Sequence, residues 1–328
     1  MVAIRFFSVV LILFLLVSCK EKTKQESPVS ETQITPTVSL EWDIAAQLGE
    51  GAFWNYKTQE LYWIDILGKK LYRYHPATQT HSAFDMPSRI GTVAPQTDST
   101  AVVALEDGIY IQNMKSGRLT QLSNVEADKP ENRFNDGKCD PNGNLWVGSM
   151  HLAEKEPLAK LYKVEPNGIA TAMLDSITIS NGIVWTKDAK TMYYIDTPTA
   201  TIRAFDFDTE SSTISNGRVA VEVPTSLGYP DGMAIDEEDK LWVGMWNGNA
   251  VIRFDPLTGE VLTKIDVPAH NVTSCAFGGQ NLDILYITTA TVDMNEEEKK
   301  QFPLAGSVFK VIPGVKGIPS PFFGTLQE

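Results

Sequence analysis

Short apolar runs, bounded by Gly, Asn, Asp or Pro, recur along the chain from about residue 40 to its end. Six of them, rich in aromatic or β-branched residues, begin at residues 61, 101, 145, 192, 241 and 285, at intervals of 40 to 49 residues. Each is followed by a second strand-like run that ends in a turn, such as "KLYRYHP" or "AVIRFDP". Beyond the N-terminus, no long stretch places apolar residues at i, i+3, i+4 and i+7. The pattern therefore predicts short β-strands rather than helices.

Six units of about 45 residues, each long enough for four short strands, are typical of a β-propeller. A β-sandwich would not repeat at this period, and a β-helix repeats faster. Runs such as "LYWIDI" are apolar on both faces, as expected where each blade packs between two neighbours. We predict an all-β, six-bladed β-propeller domain over residues 39–328, with no room for a second folded domain.

The N-terminus has a different pattern. Arg5 precedes about a dozen apolar residues, too few to span a bilayer of ~30 Å but suited to the core of a signal peptide. The run ends in "LVSC", which resembles the bacterial lipobox and implies cleavage before Cys19 and lipidation of that residue; an ordinary secretory signal is the alternative. We predict a signal peptide at 1–18 and a polar, flexible tether at 19–38. We therefore expect an exported bacterial lipoprotein that reaches the membrane only through its N-terminal lipid, with Lys20 favouring the outer membrane.

Composition narrows the choice of partners. The 328 residues carry a formal net charge of −13, which argues against nucleic acid because phosphate binding needs clustered Lys and Arg. Apart from Cys19, the chain has only Cys139 and Cys275, which lie in the third and sixth repeats, on opposite sides of a six-bladed ring. We expect two free, buried thiols rather than a disulfide. We also expect a monomer.

Polar residues recur at one phase of the repeat, ten or eleven residues before the aromatic run: Glu50, Asn135, Asn181 and Asp231, each with a glycine one or two residues later. The first strand of every propeller blade lines the central channel, so residues at one phase converge at one end of it. Asn-Gly and Asp-Gly are also strong hairpin signals, and turn chemistry is the alternative, although it explains Glu50 poorly. Two carboxylates beside amides favour a divalent cation with oxygen ligands.

Several segments in order, "LGEGAFW", "RFNDGKCDPNGNLWVGSM", "SNGIVW", "PDGMAID", "LWVGMWNGNAVIRFDP" and "TSCAFGG", resemble the senescence marker protein/regucalcin/gluconolactonase family. The resemblance spans residues 44–317 and implies a six-bladed propeller that hydrolyses sugar lactones with one divalent cation, for which Ca²⁺, Zn²⁺, Mg²⁺ and Mn²⁺ stay open. It implies Glu50, Asn181 and Asp231 as metal ligands, and Asp231 also as the catalytic base. Arg133 and Asn135 match the substrate-binding pair of the family.

The acidic substrate contact of the family falls where this chain reads "GSMHLAEKEP", with two extra residues. Glu154 is the nearest candidate for that role, and His151 is the alternative. In lactone hydrolysis a cation held by three side chains keeps positions open for the carbonyl and for water. Asp231 can then accept a proton from the water, while Arg133 offers a fixed fork of donors to the substrate.

Two other functions remain open. The first is hydrolysis of another ester or a lipophilic lactone on a propeller of the paraoxonase or strictosidine-synthase kind, for which we expect Phe53, Trp54, Tyr229 and Trp246 near the channel mouth. The second is a non-catalytic binding module, because "LYWIDILGKKLYRY" also resembles the YWTD propeller repeat. Arg133 and Asn135 favour an enzyme, since a purely structural ion has no use for them.

Overall fold

The computed structural model describes residue 2 and residues 36–325. Within these residues, 24 strands form six antiparallel sheets of four strands each, and the only α-helix described is six residues long. The innermost strands of neighbouring sheets contact one another around a closed ring. The prediction of an all-β, six-bladed propeller is confirmed.

The blades follow one another along the chain, and in the first three the strands run in order from the channel outward. Strand β1 (Ser39–Trp42) precedes them. Blade 1 contains β2 (Gly49–Asn55), β3 (Glu60–Asp65), β4 (Lys70–His75) and β5 (Thr80–Asp85). Blade 2 contains β6 (Ile90–Thr97), β7 (Thr100–Leu105), β8 (Gly108–Asn113) and β9 (Leu119–Ser123). Blade 3 contains β10 (Asn132–Cys139), β11 (Leu145–His151), β12 (Ala159–Val164) and β13 (Ala170–Ile177).

The second half of the ring repeats this order up to its last blade. Blade 4 contains β14 (Ser180–Trp185), β15 (Thr191–Asp196), β16 (Thr201–Asp208) and β17 (Thr213–Glu222), and blade 5 contains β18 (Tyr229–Ile235), β19 (Leu241–Trp246), β20 (Ala250–Phe254) and β21 (Val261–Asp266). Single turns of 3₁₀-helix occupy Thr197–Thr199 and Thr225–Leu227. Blade 6 contains β22 (Asn271–Gly278), β23 (Ile284–Ala290) and β24 (Val308–Val311), with helix α1 (Glu296–Gln301) between the last two.

Blade 6 takes its outermost strand from the other end of the chain. Strand β1 pairs antiparallel with β24, with Ser39 opposite Lys310 and Leu40 opposite Phe309. The ammonium of Lys310 adds an ion pair with Glu41 at 2.6 Å. The repeat pattern indicated where the propeller begins, but not this closure, because the two strands are some 270 residues apart and the pairing leaves no local signal.

Every blade has a β-bulge at the same point of its innermost strand. The register with the second strand shifts in turn between Glu50 and Phe53, Ile90 and Thr92, Phe134 and Gly137, Ser180 and Ile183, Pro230 and Met233, and Val272 and Cys275. A bulge places two residues opposite one and so re-aims a side chain. The polar residues at the repeated phase therefore stand at bulges within strands, and the alternative of hairpin turns is wrong.

Glycines at these bulges let neighbouring innermost strands touch. A Cβ added at Gly91 would lie 2.4 Å from the carbonyl carbon of Phe134, and one added at Gly182 would lie 2.8 Å from the carbonyl oxygen of Asp231. Any larger residue would push the two strands apart. Glycine is therefore required here by packing between blades.

The chain after β24 crosses the end of the channel at which the innermost strands finish. We call this the lower end and the opposite one the upper end. In this segment, Gly317 N–H donates to the carbonyl of Leu282 (2.8 Å), Phe323 N–H to that of Pro95 (2.9 Å) and Gly324 N–H to that of Gly143 (2.8 Å). Phe322 and Phe323 are buried in the core of blades 1 to 3. Residues 312–325 thus form a strap that joins blades 6, 2 and 3.

Cys139 and Cys275 are free and buried, as the sequence predicted. Among the described residues, no helix is long and apolar enough to cross a membrane. The predicted lipidation site Cys19, almost all of the predicted signal peptide 1–18 and most of the tether 19–38 lie outside the described residues.

Candidate functional site

Side chains from the first residues of four innermost strands line a cavity of about 200 Å³ at the upper end of the channel. We call it the upper cavity. It brings together all the residues predicted for the site: Glu50, Arg133, Asn135, Glu154, Asn181 and Asp231. Glu50 comes from β2, Asn181 from β14 and Asp231 from β18, so the predicted metal ligands belong to three different blades.

The two carboxylates at the floor of the cavity are buried and lie next to each other. Glu50 is 5% and Asp231 4% exposed. Burial, and then the charge of Asp136, raises the pKa of Glu50 from 4.5 to about 7. Burial, followed by the charges of Glu50 and Asp136, raises the pKa of Asp231 well above its usual range. Within the described residues, Oδ1 of Asp231 has no hydrogen-bond donor. Such a pair is costly unless it shares a proton or binds a cation.

A chain of hydrogen bonds orients the amide of Asn181. Its Nδ2 donates to the hydroxyl of Thr197 (2.8 Å), and that hydroxyl donates in turn to the carbonyl of Pro230 (2.8 Å). The Oδ1 atom of Asn181 is left to accept from Nδ2 of Asn135 at 3.2 Å. The arrangement turns an oxygen, rather than an NH₂ group, toward the centre of the site, as a cation ligand requires.

Arg133 lies across the cavity wall and is 7% exposed. One terminal nitrogen, Nη1, donates to Oδ1 of Asn135 (2.6 Å) and to the carbonyl of Phe134 (3.1 Å). Burial lowers the pKa of Arg133 to about 10, an effect that the charge of Glu154 opposes and that of Arg89 reinforces. Neither Asp136 nor Glu131 forms an ion pair with it, so a salt bridge within its own loop does not explain this arginine.

Of the two candidates for the acidic contact, the structure puts only Glu154 at the upper cavity. Glu154 is exposed, has a φ of 57° and lies in the loop between β11 and β12. His151 instead accepts from the backbone N–H of Ala153 through Nδ1 (3.1 Å), while its Nε2 lies 3.4 Å from Glu131. These contacts engage both of its ring nitrogens outside the cavity.

Of the four aromatic residues expected near the channel mouth, Phe53 and Trp54 lie elsewhere, and the expectation is wrong for these two. Only Trp246 lines the upper cavity. Phe53 packs against Phe322 near the lower end, with ring centroids 6.0 Å apart, and Trp54 stacks on Tyr286 at 5.3 Å. Tyr229 is exposed beyond the cavity lining. The bulge after Glu50 turns the following aromatic side chains away from the mouth.

Two residues of the cavity lining and one carboxylate beside it were missed at the level of sequence. Arg89 and Thr197 line the cavity. Arg89 stands next to the repeated phase in "RIGTV" but carries no oxygen ligand, while Thr197 follows β15 and lies outside that phase. Asp136 is a third buried carboxylate: its Oδ1 accepts from the N–H of Gly137 (2.7 Å), and its Oδ2 has no donor in the described part of the chain. Its position beside Asn135 in "FND" was the available signal.

The described residues contain no group of three His, Cys, Asp or Glu side chains that could hold a metal ion. A cation in the upper cavity would therefore depend on an amide beside two carboxylates. The side chains present fit this requirement, because Asp231 has an unpartnered oxygen and the Asn181 oxygen points inward. Oxygen donors alone favour a hard cation.

Comparison with known proteins places the site in a family context. The family described as "SMP-30/Gluconolactonase/LRE-like region" matches residues 48–291. Regucalcin of Xenopus laevis is 36% identical over 285 residues, covering 85% of this chain and 95% of that protein. A Bacillus subtilis protein with the provisional name sugar lactone lactonase YvrE is 36% identical over 286 residues, covering 87% of this chain and 98% of its own.

A solved structure agrees with these relatives. The calcium-binding protein regucalcin of Agrobacterium tumefaciens superimposes with a TM-score of 0.83 at 27% identity. The superposition covers 88% of this chain and 97% of that one.

Proposed function

Because the chain belongs to the SMP-30/gluconolactonase/LRE-like family, we propose that it is a metal-dependent hydrolase that opens sugar lactones in the upper cavity. The main support for the proposal is that Arg133 and Asn135 face the same cavity, of about 200 Å³, as the residues proposed to bind the cation: Glu50, Asn181 and Asp231. A cation that only stiffened the channel would not require a buried guanidinium beside it.

In this proposal Glu50, Asn181 and Asp231 hold one divalent cation. When bound, it would polarise the lactone carbonyl and lower the pKa of a nearby water. The cation would also neutralise the adjacent carboxylates, whose raised pKa values reflect burial and mutual repulsion. Calcium fits an all-oxygen ligand set, and zinc, magnesium and manganese are tested beside it.

Side chains of the protein transfer the proton and bind the substrate. Asp231 has a free oxygen in a buried site, so it is suited to accept the proton of an attacking water and return it to the leaving oxygen. Asn135 holds Arg133 in place, and Arg133 donates to ring hydroxyls or to the developing oxyanion. Glu154, at the rim, accepts hydrogen bonds from sugar hydroxyls.

A polar substrate is favoured over a lipophilic one by the lining of the cavity. Two arginines, four carboxylates and two amides face it, and Trp246 is its only aromatic residue among those the structure describes. A lipophilic ester or acyl lactone would bury these charged groups without hydrogen-bonding partners, which is costly. The lining therefore suits sugar lactones better than the substrates of the paraoxonase kind.

The test uses purified protein stripped of metal and reloaded with each cation in turn. We expect hydrolysis of gluconolactone and related sugar lactones only with a divalent cation, and little turnover of long-chain acyl lactones. Arg133→Ala should keep the bound metal, while transition-state stabilisation falls by roughly 2–4 kcal/mol. Equal activity with and without metal, or a preference for acyl lactones, would contradict the proposal.

We also propose that the propeller is anchored through lipid on Cys19, at the outer membrane. The support is the segment "LVSC" followed by Lys20 and a polar stretch. Detergent phase separation of the protein expressed in a bacterial host should place the wild type in the detergent phase. Cys19→Ala should move to the aqueous phase or stay uncleaved, and unchanged partitioning would rule the anchor out.

A further inference from the structure

Arg89 lies in the upper cavity, but the proposed function assigns it no role. It directly precedes β6 and lines the cavity. Because Ile90 pairs with Leu105, Arg89 lies opposite Glu106, and its Nε donates to Oε1 of that residue. The two side chains are 30% and 28% exposed. This ion pair engages only Nε, and the terminal nitrogens Nη1 and Nη2 have no protein acceptor among the described residues.

A close approach of two strands sets Arg89 beside Arg133. A Cβ at Gly91 would lie 2.4 Å from the carbonyl carbon of Phe134 and 2.8 Å from the backbone nitrogen of Asn135. Strands β6 and β10 therefore touch there with no side chain between them. Arg89 stands two residues before Gly91, and Arg133 directly precedes Phe134, so both lie on the same wall of the cavity. Their charges repel each other, as the lowered pKa of Arg133 reflects after the larger effect of burial.

On this wall Arg89 pairs with Glu106 through Nε alone, and no carboxylate among the described residues forms an ion pair with Arg133. Arg133 is buried, but it forms no ion pair within residues 36–325, and its hydrogen bonds go to Phe134 and Asn135. Glu50 and Asp231 belong to the proposed cation site. The remaining carboxylates at the cavity, Glu154 and Asp293, are exposed and screened by solvent. A buried guanidinium without a counter-charge is costly, and two adjacent guanidinium forks suit a carboxylate or phosphate.

We propose that Arg89 and Arg133 form an anion subsite in the upper cavity, and that the substrate is a sugar lactone carrying a carboxylate or phosphate outside its lactone ring. The assignment of the substrate as a lactone rests on the proposed function. The subsite itself rests only on the geometry of the two arginines. Glu106 positions Arg89 by holding its Nε, which leaves the terminal nitrogens directed to the ligand.

Binding by stable sugar acids tests the subsite without turnover. Calorimetric titrations with calcium present would compare gluconate, which has one carboxylate, with glucarate and phosphogluconate, which add a carboxylate or a phosphate. We expect the wild type to bind one of the latter two about tenfold to a hundredfold more tightly than gluconate. Titrating every variant at one calcium concentration cancels chelation by the ligands.

Arg89→Gln should remove most of that advantage, because it weakens binding of the ligand with the additional anionic group much more than binding of gluconate. Arg89→Lys, which keeps the charge but not the fork, should retain part of it. Arg218→Gln is the matched control, because Arg218 is half-exposed and pairs with Asp206 on outer strands. Equal affinities in the wild type, or an advantage that survives Arg89→Gln, would overturn the subsite.

Kinetics separate this proposal from the proposed function. Specificity constants for gluconolactone, glucarolactone and phosphogluconolactone should show the anionic lactone preferred by the wild type. Arg89→Gln should lower the specificity constant for that lactone more than the one for gluconolactone. Hydrolysis of all three at similar rates would refute the anion subsite and leave the lactonase proposal standing. No hydrolysis of any lactone would refute the lactonase, while the titrations would still decide the subsite.

Discussion

The two ends of the channel are built from the same strands and have opposite chemistry. At the upper end the innermost strands begin with Glu50, Arg133, Asn181 and Asp231, all facing one cavity. At the lower end β10, β14, β18 and β22 finish around a smaller pocket that the strap borders. It is lined by Cys139, Val184, Trp185, Ile235 and Phe277, together with Lys138. We call it the lower pocket. Within one strand, three to six positions separate the two environments.

The difference shows how one scaffold separates stability from chemistry. At the lower end the strap and the strand ends bury apolar side chains, and the thiols are inert: burial raises the pKa of Cys275 to about 12. At the upper end the buried side chains are ionisable instead, and burial raises the pKa of Glu50 to about 7. The lower end therefore adds buried apolar packing to that of the blades, and the upper end carries uncompensated charge that a ligand can use.

The largest effect is expected for Asp231→Asn at the upper end. The amide keeps the size and a ligand oxygen but cannot accept a proton, so kcat should fall by about 10²–10⁴-fold. Bound metal, measured by atomic absorption, should fall much less, and the melting temperature should not fall. A variant with full rate would remove Asp231 from the proton-transfer role.

The matching change at the lower end is Phe322→Ala. Phe322 is 2% exposed and packs against Phe53 and Tyr56, so its loss should lower the free energy of unfolding by about 3–5 kcal/mol. Chemical denaturation measures this, with Leu257→Ala as control because that side chain is 84% exposed. Metal binding and the rate per folded molecule should be unchanged. Loss of metal would show that the two ends are coupled.

The pH dependence of the free energy of unfolding should report on the buried carboxylate of Glu50 at the upper end. The pKa of Glu50 is about 7 when folded and 4.5 as a free group, so the folded state holds this proton more tightly. The proton on Glu50 therefore contributes about 3 kcal/mol to the free energy of unfolding. This contribution is complete below pH 4.5 and is lost as the pH rises through 7. Without metal, Glu50→Gln should flatten the unfolding free energy between these pH values. An unchanged slope would contradict the assignment.

A divalent cation should neutralise the carboxylates of Glu50 and Asp231 at neutral pH and so stabilise the folded protein. At a hundredfold excess over its dissociation constant, a ligand that binds only the folded state contributes about 2.7 kcal/mol. The melting temperature should therefore rise with calcium for the wild type and stay constant for Glu50→Gln. Thermal unfolding with calcium, zinc, magnesium and manganese also ranks the cations. A wild type insensitive to all four would exclude the proposed site.

The smallest effect is expected for the thiols of the lower pocket. Cys139→Ala and Cys275→Ala each remove one buried sulfur, so each should cost about 1 kcal/mol of unfolding free energy and leave metal binding and rate unchanged. Both thiols should react with an alkylating reagent only after denaturation, as mass spectrometry would show. Rapid labelling of the folded protein would mean that the strap opens.

Much of this molecule could be predicted because its repeat is local. The aromatic strands, the six-fold period and the phase of Glu50, Asn135, Asn181 and Asp231 follow from spacing within single units. Once the fold is a propeller, that shared phase implies a shared cavity, and the structure brings these residues together. The thiols of Cys139 and Cys275 were likewise predicted to be free because they belong to opposite blades.

The sequence by itself thus determined the architecture and the four residues that share the repeated phase at the central site, since strand periodicity and repeat phase are carried by neighbouring residues. Only the tertiary structure decided the pairing of Ser39 with Lys310, the path of the strap, the direction of Phe53 and the position of Arg89 beside Arg133. Each of these depends on contacts between distant segments or on a bulge that reverses the alternation of a strand. Such contacts exist only when the ring is closed, and no short stretch of sequence encodes them.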